Sequence, residues 1–352
     1  MARAILCTIV VTLIWALPTE AASAGATFSP GTNLNEARGL HLIATLPDGR
    51  VIVFGGYVDG SEIYPQSSEI WTPTTSSFTL KAMNHPRYCS AFAKLADGRY
   101  LLGRGNPDPY AAEIYDPVDD SFTPTSNTMP PSLSFASAAT LTSGKVLVIG
   151  YGSSKGVLFD PDADTFTATG DLNTPRIAPV ILPAADGKAL VLGGFNASNT
   201  WFEQVELYDP VDNSFSILQD TLVPGDPGWY TDGGSYNLFS RSMETQMMGD
   251  GRDLFPATKQ ISPSEYQPAL FTFNPVTKQI DKFDVTPQLP TLSAGSVNQS
   301  FLWPVVNVGA GKAYVIYDNQ IITVFLRSGT RNAPPGYYED PYGLLLSTGA
   351  PC

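Results

Sequence analysis

The chain predicts an all-β fold built as a six-bladed β-propeller, and three observations carry that prediction. An eight-residue motif recurs: Tyr208–Phe215 reads YDPVDNSF, Tyr115–Phe122 YDPVDDSF, Phe159–Phe166 FDPDADTF and Trp71–Phe78 WTPTTSSF, with a weaker copy, FNPVTKQI, at Phe273–Ile280. Ahead of the first four copies lies a hairpin signal, an Asp-Gly or Ser-Gly turn between apolar runs, at 46–56, 95–105, 141–151 and 185–194. Thirty Pro and thirty-one Gly in a weakly charged chain suit many short strands joined by tight turns.

In each copy of the motif an aromatic stands seven residues before a bulky apolar residue, and Pro follows the aromatic by two. The anchors Phe78, Phe122, Phe166 and Phe215 are 44, 44 and 49 residues apart. Each repeat therefore reads as four short strands. One precedes the Gly turn, one follows it, one ends at the aromatic-x-Pro, and one surrounds the Phe. Four strands every 40 to 50 residues make a propeller blade.

Taken in order, residues 1–24 read as a secretory signal peptide, with a basic Arg3, an apolar Ile5–Leu17 and a cleavage site at Ala22-Ser23-Ala24. The apolar run is shorter than the ~20 residues that span a bilayer. The expected location is extracellular. Residues 25–330 form the propeller and 331–352 a C-terminal tail. Residues 26–30 align with the outermost strand of a blade and lack inner strands of their own. SFLWPVVNV, KAYVIY and IITVFL (300–326) supply those strands, so the N-terminal strand pairs with the C-terminal blade and closes the ring. The fifth blade covers about 241–283. The Gly/Pro/aromatic segment 219–240 before it reads as a long loop.

A balance of 33 acidic against 20 basic residues gives a net charge of −13, which argues against nucleic acid and anionic membranes as partners. The expected protein is monomeric and not inserted in a membrane. Of three cysteines, Cys7 leaves with the signal peptide. Cys89 and Cys352 either pair in the oxidising exterior or remain a buried and an exposed thiol. Asn196-Ala197-Ser198 and Asn298-Gln299-Ser300 are acceptor tripeptides for N-glycosylation in a eukaryotic source.

The strand D-G-[RK]-x-L-V-x-G-G and the strand Y-D-P-x-x-x-x-[FW], as they stand here, resemble the kelch-repeat β-propellers, including the central domain of the galactose oxidase family. The resemblance covers about 28–218. Gly-Gly survives only at 55–56 and 193–194, and Phe replaces the usual Trp of the last strand. The resemblance implies that Arg38, Arg87 and Arg176, each ten residues before a turn Asp, ring one mouth of a central channel; Arg241 lies one place off and Leu133 interrupts the series. Such arginines either bind an anionic ligand or tie blades together. The same mouth receives loop aromatics: Tyr57, Tyr64, Tyr110, Tyr151, Phe195, Trp201 and Tyr266, with Trp229, Tyr230 and Tyr236 from the long loop. An aromatic rim beside guanidinium groups suits a glycan.

Galactose oxidases hold copper with two His, a Tyr and a Tyr cross-linked to Cys. Cys89 matches that cysteine, but the cross-linking Tyr falls at Phe135, and the only histidines are His41 and His85. That ligand set argues against a copper-radical oxidase. No cofactor or metal is expected. The leading expectation is a secreted binding module for an extracellular glycan or protein. One alternative is a lyase on an acidic polysaccharide, with His41 or Tyr88 as base beside Arg38 or Arg87. Another is a structural or matrix protein.

Overall fold

The computed structural model describes residues 34–36, 38, 41–56, 64–88, 90–103, 106–107, 112–130, 133–151, 153–198, 200–231, 246–247, 252–262, 265–283, 292–293, 305–309, 312–317, 320–326, 337–339 and 344–348. Every regular element among them is a β-strand. No helix among the described residues is long and apolar enough to cross a membrane.

Sheet one pairs β1 (Leu42–Thr45), β2 (Val51–Phe54), β3 (Ser67–Thr72) and β4 (Ser77–Ala82) antiparallel in chain order. Next come β5 (Arg87–Tyr88), β6 (Ala91–Lys94), β7 (Tyr100–Gly103), β8 (Asn106–Pro107), β9 (Glu113–Asp116) and β10 (Ser121–Pro124). Here β6, β7, β9 and β10 make sheet two, while β5 and β8 pair as a separate short ribbon. Sheet three holds β11 (Ser134–Thr140), β12 (Val146–Tyr151), β13 (Lys155–Asp160) and β14 (Thr165–Asp171). Sheet four holds β15 (Val180–Pro183), β16 (Ala189–Leu192), β17 (Val205–Asp209) and β18 (Ser214–Gln219).

The repeat sets the register of the outer hairpin. The aromatic and the residue seven places on face each other across it: Trp71 opposite Phe78, Tyr115 opposite Phe122, Phe159 opposite Phe166, Tyr208 opposite Phe215 and Phe273 opposite Ile280. Ring centroids lie 4.7–4.9 Å apart in the second to fourth pairs. In all five copies the sixth residue turns the chain with a positive φ: Ser76, Asp120, Asp164, Asn213 and Lys278.

The inner hairpins differ in detail from the two-residue turns that the sequence suggests. Leu46 and Arg50 close a three-residue loop, with the Leu46 amide on the Arg50 carbonyl at 2.7 Å and Gly49 N–H on the Leu46 carbonyl at 3.0 Å. Gly49 has φ +85°, so the third loop position needs glycine to realign the strands. The same loop recurs at 95–99, 141–145 and 184–188.

Because side chains alternate across each strand, sheets one to five stack on one another in chain order through apolar faces. Leu42, Ile52 and Phe54 of sheet one meet Phe92, Tyr100 and Tyr115 of sheet two. Leu101 and Ile114 meet Val146 and Phe159; Leu147 and Ile149 meet Val191 and Tyr208. Leu190 and Leu192 meet Phe255 and Phe271 of the next sheet. The first strands β6, β11 and β15 lie side by side.

Sheet five comprises β19 (Trp229–Tyr230), β20 (Gln246–Met247), β21 (Asp253–Ser262), β22 (Glu265–Phe273), β23 (Ile280–Phe283) and β24 (Leu292–Ser293), in the order β19-β21-β22-β23 with β20 on β21 and β24 on β22. The segment 219–240 is thus more than a loop, since it contributes β19. The last sheet orders β25 (Val305–Gly309), β26 (Lys312–Tyr317), β27 (Gln320–Leu326), β28 (Tyr337–Glu339) and β29 (Leu344–Thr348) as β25-β26-β27-β29-β28. The stretch read as a tail, 331–352, therefore carries two strands. The edge of β27, which the sequence reading gives to the N-terminal strand, is paired by β29. A nearby strand of the same chain satisfies the open donors and acceptors of that edge. Residues 26–30 themselves lie outside the described residues.

One irregularity predicts a stabilising change. Tyr115 Oη donates to Asp120 at 2.7 Å, and Tyr208 Oη donates to Asn213 at 2.9 Å. Sheet three has Phe159 at that place, and Asp164 Oδ1 is buried without a partner. Phe159→Tyr is expected to supply the missing donor and raise stability by about 0.5–1.5 kcal/mol. The urea midpoint of the variant against the parent protein checks this, and an unchanged or lower midpoint would refute it.

Candidate functional site

Of the arginine series, Arg38, Arg87 and Arg176 are described; each precedes the first strand of its sheet by four residues (Arg87 within the ribbon strand β5), and they are 9%, 2% and 2% exposed. Each meets a buried glutamate two residues before the repeat's aromatic. The ion pairs are Arg38–Glu69 at 2.9 Å, Arg87–Glu113 at 2.5 Å and Arg176–Glu206 at 2.7 Å. Arg176 also donates to the carbonyls of Thr174, Gly193 and Gln204. Arg38 reaches the carbonyls of Glu36, Gly55 and Ser67, the Ser67 hydroxyl and the Glu36 carboxylate.

The second oxygen of each glutamate accepts from an asparagine three residues before the arginine. Asn35, Asn84 and Asn173 each bring backbone N–H and side-chain Nδ2 to Glu69, Glu113 and Glu206. The same Nδ2 groups donate to the Phe78, Phe122 and Phe215 carbonyls of the outer strand. Burial pushes the Glu69 carboxyl up, but the amides of Asn35 and Glu36, the Asn35 side chain and Arg38 bring it below the usual range. Burial likewise lowers the Arg176 pKa against the pull of Glu206. The guanidinium groups thus tie the start of each sheet to its second and third strands, and the asparagines carry the link to the fourth.

Sheet three lacks the whole lock. Leu133 replaces the arginine and Val157 the glutamate, both inside the apolar core. Pro130 and Pro131 replace the pair Asn173-Thr174, whose backbone N–H groups Glu206 holds in sheet four. Charge, counter-charge and amide donors disappear together. Sequence reasoning found the arginines and missed their partners, although the glutamates at aromatic minus two and the asparagines at arginine minus three were there to be read.

His41 donates Nδ1–H to the Arg38 carbonyl at 3.1 Å, and burial lowers its pKa, so the ring is neutral with its lone pair on Nε2. Half-buried Tyr88 stacks on Tyr64, with centroids 5.1 Å apart and planes 7° from parallel. Arg241, Tyr236, Cys89, Cys352 and Asn298 lie outside the described residues.

Strands alternate in direction within each sheet, so loops from second to third strands and links between sheets share the end opposite the Gly turns. At that end, between sheets three and four, lies a pocket of about 300 Å³ lined in part by Gly150, Ser153, Ser154, Arg176, Ile177 and Asn196. Phe195, next to Asn196, is bridged to Ile177 and Trp201. Its ring lies 4.7 Å from Trp201, which is 6.5 Å from Tyr230. All three rings are half-buried.

Trp229 is placed differently from Tyr230. It is 1% exposed, packs edge-on to Phe271 at 5.5 Å, and donates Nε1–H to Asp226 at 2.8 Å. Lys282 Nζ sits 3.9 Å from its ring centroid. Lys259 and Lys282 both pair with Asp226. The Lys259 and Trp229 hydrogen bonds hold that carboxyl well below the usual range. This tryptophan anchors its segment to sheet five and presents no ring face to a ligand.

Among the described residues no group of three His, Cys, Asp or Glu gathers as metal ligands. Burial alone pushes the Asp253 carboxyl up to about 7. An acid whose folded pKa is raised binds its proton more tightly in the fold, so stability falls as pH rises from about 4 to 7. Thermal melts over that window should show a decline that Asp253→Asn flattens; parallel profiles would refute it.

No protein-family model matches the chain, and no curated protein is found similar to it.

Proposed function

We propose that the protein is a secreted, six-bladed, kelch-like β-propeller that serves as an extracellular binding module for a glycan. The single observation that carries the reading is the half-buried cluster Phe195, Trp201 and Tyr230 at the loop end, where Phe195 is next in the chain to Asn196 of the pocket and bridged to its Ile177. Sugars stack the apolar faces of their rings on such aromatics while polar groups beside them fix the hydroxyls. Four-stranded antiparallel sheets stacked in chain order, with first strands side by side, support the propeller. The kelch-like repeats support it from the sequence. The signal peptide supports export.

The reading moves the site away from the arginines, whose donors hold glutamates and carbonyls of their own sheets. A lyase would need a free cation to neutralise a uronate, and Arg38, Arg87 and Arg176 are each committed to a glutamate. A glycan-array screen of the mature protein beside Trp201→Ala tests the proposal. The parent should bind, and Trp201→Ala, with its melting temperature preserved, should bind at least tenfold more weakly, about 1.4 kcal/mol. Absence of any glycan ligand, or indifference to Trp201, would overturn it in favour of a protein partner.

A further inference from the structure

We infer that the pocket between sheets three and four accepts a neutral, hydroxyl-rich sugar unit rather than an acidic one. The inference rests on the glycan-binding reading and specifies the ligand class of that site. Its volume of about 300 Å³ stands at the small end of small-molecule sites, which suits one saccharide unit, and Phe195, which packs on Trp201, is next in the chain to Asn196 of its wall.

The polar groups of the pocket offer neutral partners. Asn196 Oδ1 already accepts the N–H groups of Ser198 and Thr200, both at 2.9 Å, which leaves the Nδ2 amide to donate outward. Ser153 Oγ accepts the Lys155 N–H at 2.9 Å, which leaves its own hydrogen to donate. Ser154 Oγ donates to Asp171 and keeps lone pairs to accept. Sugar hydroxyls, each donor and acceptor at once, match this mixed set.

Among the described lining residues the one cation, Arg176, is fully buried at its side chain and directed to Glu206 and three carbonyls. A carboxylate or sulfate entering here would lose water, find no free cation among the described lining residues, and come near the Asp171 carboxylate that Ser154 holds. The whole chain adds repulsion through its net charge of −13. The pocket chemistry therefore selects against the anionic sugars that an arginine-lined mouth would prefer.

Unglycosylated mature protein, produced in a bacterium, is screened against neutral hexose and N-acetylhexosamine glycans beside uronate and sulfated ones. Binding of the best ligand is then titrated from low to high salt with the parent protein, Trp201→Ala and Asn196→Asp. Asn196→Asp keeps an oxygen for the Ser198 and Thr200 amides while removing the Nδ2 donors. The expected result is a neutral ligand, affinity insensitive to salt, and at least a tenfold loss in Asn196→Asp at unchanged melting temperature. Trp201-dependent binding confined to acidic glycans, or binding indifferent to Asn196→Asp, overturns this inference and leaves the glycan-binding reading standing. No glycan bound at all overturns both.

Discussion

Glu206→Ala is expected to destabilise the protein by about 3–5 kcal/mol, because it leaves the Arg176 guanidinium charged, buried and without its counter-ion. The cost exceeds that of one lost hydrogen bond. Both glutamate oxygens are engaged, one by Arg176 and Thr174 and the other by the two donors of Asn173. Arg176→Ala should cost a similar amount from the opposite side. Sheet three supplies the control, since it holds the same place in the same repeat with Pro130, Pro131, Leu133 and Val157. The fourfold set Asn173→Pro, Thr174→Pro, Arg176→Leu and Glu206→Val should therefore recover most of the stability that Glu206→Val alone loses. Urea midpoints of single and combined variants measure the coupling. Additive losses would sink the idea that the lock is exchanged as a unit.

Trp229→Ala should be comparably damaging, by about 3–5 kcal/mol, through loss of a large buried ring and the cavity it leaves. The ring joins the core between sheets four and five and lies beneath Lys282. Its removal also orphans Asp226 from one of three donors. The neighbouring Tyr230→Ala and the nearby Trp201→Ala remove half-buried rings and should leave the melting temperature nearly unchanged. Melting curves of the three variants separate the roles. A Trp229→Ala protein that melts with the parent would mean that this segment contributes little to sheet five.

Much of the architecture is legible in the chain because the repeat encodes it locally. Phe215 faces Tyr208 across a hairpin whose turn must accept a positive φ, and Asn213 is suited to that conformation. The turn glycines mark the inner hairpins for the same reason. The strands 229–230, 337–339 and 344–348 were not legible, since no repeat marks them, even though the last two pair with each other and with nearby β27. The site was read in part. Arg176 and Trp229 carried the right chemistry for a ligand, but burial decides their use, and burial depends on which faces the sheets press together. Ser153 and Ser154 gave no signal at all. Their role comes only from standing beside Asn196 once sheets three and four have met.

Neighbouring sheets are joined both by side-chain clasps and by backbone hydrogen bonds, among them Ala185 N–H on the Pro275 carbonyl at 2.8 Å between sheets four and five. At the turn end, Arg50 of sheet one clasps Asp120 and the Pro117 carbonyl of sheet two, and Lys278 of sheet five clasps Asp186 of sheet four. At the loop end, Gly56 N–H meets the Arg87 carbonyl at 2.8 Å, and a side chain at Gly55 would put its Cβ 2.1 Å from that oxygen. Water and salt reach the partly exposed clasps and weaken them, while the backbone seam stays dry. Salt therefore loosens the clasps and leaves the backbone joins in place. The pocket stands at the same loop end as the Gly56–Arg87 join, two sheets further along.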